Sequence, residues 1–100
     1  MDADQLRRLA LSRARQVANQ ARQNAQTPAS LCGLAVGDVL DYIELGLFVA
    51  VTSITPGCVH VLGVRQFAPG TALKELHMPA DLVRFRLQRR WLRLVPDRRR

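Results

Sequence analysis

The spacing of apolar and polar positions changes along the 100 residues, and each change marks an element. From residue 3 to 26, Leu6, Leu9, Ala10, Ala14, Val17, Ala21 and Ala25 recur at helical spacing. Ala, Arg, Gln and Leu dominate this stretch, all strong helix formers, and neither Gly nor Pro interrupts it before Pro28. A helix is therefore predicted, with Asp2 or Asp4 placed to cap it. Its apolar stripe is narrow and weakens from Leu to Ala. A helix of this kind buries little per turn, so its second half is expected to project, or to pack closely on another helix through its alanines. Thr27-Pro28-Ala29-Ser30 ends it, and 28–33 reads as a linker.

The middle of the chain has a different period. Val36-Gly37-Asp38 opens a strand over Val39–Ile43, and Glu44-Leu45-Gly46 turns. Leu47–Ile54 is rich in β-formers and too apolar to alternate, which suits a strand buried on both faces. Thr55-Pro56-Gly57 is a strong turn signal, because Pro presets φ and Gly accepts positive φ. Cys58–Val64 then pairs back as a hairpin. Residues 65–71, with Pro69-Gly70, form a loop; Ala72–Met78 is a fourth strand, and Pro79 stops it. Short strands joined by turn residues suggest a small antiparallel barrel.

The run Val36-Gly37-Asp38-Val39, followed by a second strand after a glycine, resembles the opening of SH3-like barrels. Pro79-Ala80-Asp81-Leu82-Val83 resembles their final turn into a last strand. The resemblance covers roughly half the chain and concerns the fold alone. A preceding helix makes the arrangement similar also to the Sm-like RNA-binding fold, although the Sm sequence motifs are not evident. The expected class is α+β, mostly β. It comprises an N-terminal helix (1–27), the linker, a four- or five-stranded antiparallel SH3-like barrel (34–88) and a basic C-terminal strand/helix tail (89–100).

Residues 82–95 fit two periods. As a strand, Val83, Phe85 and Leu87 alternate with Arg84, Arg86 and Gln88. As a helix, Val83, Leu87, Trp91 and Leu94 form a stripe, and Arg86, Arg89, Arg90 and Arg93 share one face. We expect Leu82–Leu87 as strand and the remainder as a short helix or tail.

Charge changes the picture most. The last twenty residues hold eight arginines against Asp81 and Asp97, a surplus of six within a chain of formal net charge +7. Residues 1–33 add a surplus of three, and 34–80 is slightly acidic. Such a field attracts polyanions, nucleic acid above all. Lys74 is the only lysine among fifteen basic residues. Guanidinium forks grip phosphates bidentately; a GC-rich genome would explain the choice of Arg over Lys, but not the clustering. Arg84, Arg86, Arg89, Arg90, Arg93, Arg98, Arg99 and Arg100 are the candidate phosphate contacts. Trp91 among them either stacks on an exposed base or caps the core, and the core position is expected. On the helix, Leu6, Leu9, Ala14, Val17 and Ala21 are candidates for a partner or for a second copy of the chain. Arg7, Arg8, Arg13, Arg15 and Arg22 are read as a solvated face.

Candidate chemistry is sparse. With hydrophobic residues at 48%, the chain suits one modest globular core. The two cysteines, Cys32 and Cys58, make no disulfide framework. Cys58 and His60 lie two apart, and Cys32 with His77 would complete four ligands, but the spacing matches no familiar zinc pattern. Pairings of Cys58 or Ser53 with a histidine lack a strained elbow. Asp38, Asp41 and Glu44 read as a solvated strand end, and the glycines form no phosphate-cradling loop. No cofactor, metal or catalytic residue is assigned, and an enzyme is not expected. The acidic Met1–Asp4 start does not read as a signal peptide, and the run Leu45–Val51 is too short to span a bilayer. A cytoplasmic nucleic-acid-binding module, DNA or RNA, of weak sequence specificity is the expectation. The alternative is an accessory or assembly subunit of plasmid or phage type. It would use the helix and an arginine surface to bind an acidic protein, or to form an oligomer.

Overall fold

The computed structural model describes residues 2–25, 29–70 and 72–96. Helix α1 runs Ala3–Asn24. Its start is a reciprocal capping box: Gln5 N donates to Asp2 Oδ1 (2.8 Å), and Asp2 N donates to Gln5 Oε1 (3.1 Å). The next elements are β1 (Ser30–Leu31) and β2 (Leu34–Ala35), a small hairpin inside and just beyond the expected linker. It turns at Cys32 and Gly33, which both have positive φ (56° and 77°). Then come β3 (Val39–Tyr42), a 3-10 turn (Ile43–Leu45), β4 (Leu47–Thr55), β5 (Cys58–Arg65), β6 (Lys74–Pro79), α2 (Ala80–Gln88) and β7 (Leu92–Leu94).

The molecule is α+β, with a five-stranded antiparallel sheet ordered β6-β5-β4-β3-β7. The sheet is not closed into a barrel: β6 and β7 stand at opposite edges and do not pair. The continuous apolarity of β4 has a direct cause. Leu47, Val49 and Val51 point into one core cluster with Leu40, Val59, Val61, Val83 and Leu92. Phe48 and Ala50 point the other way, toward Val39, Val64 and the helix.

The expectation that the second half of α1 projects is overturned. Ala10, Ala14 and Ala18 are buried against Val39, Phe48, Ala50 and Val64. The alanines meet the chain's own sheet rather than another helix, because small side chains let the helix backbone approach it closely.

Hydrogen bonds fix the start of α1. Gln66, 2% exposed, donates Nε2 to Asp41 Oδ1 (2.6 Å) and to Leu47 O (3.0 Å). Arg7 donates to Gln66 Oε1 (3.0 Å) and to Asp41 Oδ2 (2.9 Å), with its guanidinium 5.0 Å from the Phe48 ring centre. Every polar atom of the Gln66 amide is thereby engaged.

The expected order of elements in 82–95 is reversed. The helix comes first and the strand second, because Val83 and Leu92 are both buried, while Leu87 packs at the edge of the same cluster. Among the described residues, no helix is long and apolar enough to cross a membrane.

Candidate nucleic-acid interface

The C-terminal arginines are placed by the way α2 ends. Trp91 N donates to Arg86 O (3.0 Å) and Arg90 N donates to Leu87 O (3.2 Å), with Arg90 at φ 59°. These are the paired bonds of a Schellman motif, whose left-handed position is usually glycine. Arginine there carries a Cβ penalty of about 1 kcal/mol. The motif reverses the chain so that β7 can pair with β3: Ile43 N donates to Trp91 O (3.0 Å), and Leu92 enters the core.

The reversal exposes a cation–aromatic patch. Phe85 and Trp91 meet edge to face, with ring centres 5.7 Å apart and planes at 81°. Arg89 lies over both, 4.9 Å from the Phe85 centre and 5.6 Å from the Trp91 centre. Phe85 is 43% exposed and Trp91 39%, so the expected core position for Trp91 is overturned. Arg93 Nε donates back to Arg90 O (3.1 Å), which keeps Arg93 beside the turn. Leu82 and Leu94 are exposed as well.

The single arginine face of the all-helix alternative does not form, since the helix ends at Gln88. Arg86 is turned inward. Its Nε donates to Glu44 Oε1 (3.0 Å), and its guanidinium lies 5.6 Å from the Tyr42 ring centre. It clamps α2 to the 3-10 turn. Arg84 makes a long, exposed pair with Asp81 (3.4 Å), the kind that contributes little and exchanges readily. Among the described residues, Arg89, Arg90 and Arg93 have no carboxylate partner. Arg98, Arg99 and Arg100 lie outside the described residues. On α1, Arg15 donates to Pro96 O (3.5 Å), which brings the helix alongside the end of β7.

The helix candidates separate. Leu9 is exposed, Leu6 is partly so, and Ala14 is buried against the sheet. Val17 and Ala21 line an open groove of about 680 Å³ between α1 and the sheet, shared with Val36, Ile54 and Leu62. The paper tetrad of cysteines and histidines does not assemble. Cys32 Sγ donates to Ala80 O (3.6 Å), and among the described residues no group of three or more His, Cys, Asp or Glu side chains gathers. Sequence reasoning missed Phe85 as an exposed partner of Trp91. A period shared by strand and helix concealed which way Phe85 faces.

No family model, curated protein or solved structure matches the chain.

Proposed function

We propose that the chain is a small nucleic-acid-binding module that holds a single strand at the α2–β7 turn. Arg89, Arg90 and Arg93 contact phosphates, and Trp91 with Phe85 offers a ring surface to a base. The observation that carries this reading is the exposed Arg89–Phe85–Trp91 cluster, which joins accessible rings to cations that have no carboxylate partner among the described residues. That combination suits single strands, in which the base faces are open for stacking. Arg90 supports it, since a strained backbone position occupied by a cation points to a use for the cation. We read the open sheet, with β7 returning beside β3, as an SH3-like arrangement left unclosed; the strand order supports that reading. Arg84 adds a weaker contact by exchanging Asp81 for a phosphate.

Trp91 is the chain's single tryptophan and reports directly on the site. Oligo-dT or oligo-U should quench its fluorescence, whereas heparin, a polyanion without bases, should bind with little quenching. Trp91→Ala should weaken binding to the oligonucleotides about 5- to 150-fold, the range that base–aromatic stacking contributes. Equal affinity in that variant would remove the stacking role. The exposed Leu82 beside Phe85 favours a second reading, an acidic protein partner with an apolar anchor. In that case neither oligonucleotide would bind.

A further inference from the structure

The chain has two histidines, and the fold brings them together. His60 on β5 and His77 on β6 are direct cross-strand partners. Their Nδ1 atoms face each other at 2.5 Å, with ring centres 4.7 Å apart and planes at 75°. The outer nitrogen of His60 is hydrogen-bonded, and that of His77 has a carboxylate nearby. Thr55 Oγ1 lies 2.9 Å from His60 Nε2, and Glu75 Oε1 lies 3.4 Å from His77 Nε2.

The partners favour one arrangement of protons. A carboxylate only accepts, so Glu75 at 3.4 Å favours the His77 tautomer with its proton on Nε2 and a lone pair at Nδ1. His60 then donates from Nδ1 and accepts from the Thr55 hydroxyl at Nε2.

We propose that His60 and His77 form a two-imidazole site for a borderline divalent transition-metal ion, of the Zn²⁺, Ni²⁺ and Cu²⁺ class. Three features support it. Imidazole nitrogen is the preferred donor for these ions. The inner nitrogens converge, while His60 Nε2 is bonded to the Thr55 hydroxyl and His77 Nε2 lies 3.4 Å from the Glu75 carboxylate, partners of the kind that orient ligating histidines. The rings also need little movement. Two Zn–N bonds of about 2.0–2.1 Å at a tetrahedral angle separate the nitrogens by roughly 3.3 Å. An opening of about 1 Å is therefore enough, and the His77 side chain, 57% exposed, is free to supply it.

The proton count balances. On binding, the proton at His60 Nδ1 moves to Nε2, Thr55 changes from donor to acceptor, and no net proton is released. Since no third protein ligand gathers there among the described residues, water or an incoming donor fills the other positions. The result is an open site at the β5–β6 edge. It is independent of the cation–aromatic patch.

The test is calorimetric titration of the full chain with Zn²⁺, together with ¹⁵N spectra of the two imidazoles. We expect one ion per chain and a coordination shift at both Nδ1 atoms. His77→Gln and His60→Gln should each weaken binding at least tenfold. Cys58→Ser and Cys32→Ser should leave it unchanged, with far-UV circular dichroism confirming the fold of every variant. If His60→Gln perturbs the hairpin, the more exposed His77→Gln carries the test. The proposal is overturned by absence of binding at millimolar Zn²⁺, by equal affinity in His77→Gln, or by loss in Cys58→Ser. A thiolate charge-transfer band with Co²⁺ would identify that last case.

Discussion

At the scale of single residues, Arg90 separates stability from binding. Its left-handed backbone is imposed by the Schellman bonds to Leu87 and Arg86, and its side chain has no carboxylate partner among the described residues. Glycine adopts that φ without a Cβ clash, although it loses more chain entropy on folding. Arg90→Gly should therefore raise stability by about 0.5–1 kcal/mol net in denaturant unfolding. It should also remove one phosphate contact, flattening the plot of log affinity against log salt by about 0.7 for a single strand. A variant that gains stability and binds less tightly is the expected outcome. If stability falls, Arg90 contributes a contact within the folded chain and the strain argument is wrong. The same residue accounts for one failure of sequence reading. Glycine at 90 would have marked a helix end, and arginine there gave no such signal.

At the scale of elements, α1 is held by shape. Ala14 is fully buried between the helix axis and the Phe48–Ala50 stretch of β4, so the spacing of the two layers is set by a methyl group. Ala14→Leu should destabilise the fold by about 1–3 kcal/mol, read as a lower denaturant midpoint, because the helix must lift from the sheet. An unchanged midpoint would mean that α1 is not docked as described. The same packing means that removing residues 1–27 would bare Val39, Phe48 and Val64, so a truncated chain reports on folding as much as on any partner. The elements legible in the sequence were those with local causes. The composition of α1 and its Asp2 cap, and the Pro56-Gly57 turn between β4 and β5, needed no distant contact to be read. Residues 82–95 did. Val83 and Leu87 satisfy either period, and the choice is made by the docking of Arg86 on Glu44 and by burial of Leu92 beside β3. Neither contact has a signature in the local pattern. His60 and His77 were visible as residues, but their meeting depends on the β5–β6 register.

At the scale of the whole molecule, four of the eight acids are committed within the fold, while Arg89, Arg90 and Arg93 have no carboxylate partner among the described residues. Asp2 caps α1, Asp38 accepts from Ala35 N, Asp41 holds Arg7, and Glu44 holds Arg86. What remains near the α2–β7 turn is Arg89, Arg90 and Arg93, followed in the sequence by Arg98, Arg99 and Arg100. The two sets predict separable salt dependences. Three phosphates neutralised on a single strand give a log–log slope of about −2, and six give about −4. Between 50 and 200 mM salt these slopes correspond to losses of about 15-fold and about 250-fold in affinity. The full chain should lie near the steeper value. Replacing Arg98, Arg99 and Arg100 together with Gln should bring it to the shallower one, while quenching of Trp91 persists. If the slope is near −2 in both chains, the terminal triad makes no phosphate contact and the folded patch does all the binding. A slope near zero in the full chain would rule out counterion release altogether. The exposed leucines and aromatic rings of the α2–β7 turn would then have to bind through apolar burial, and the ligand would not be a nucleic acid.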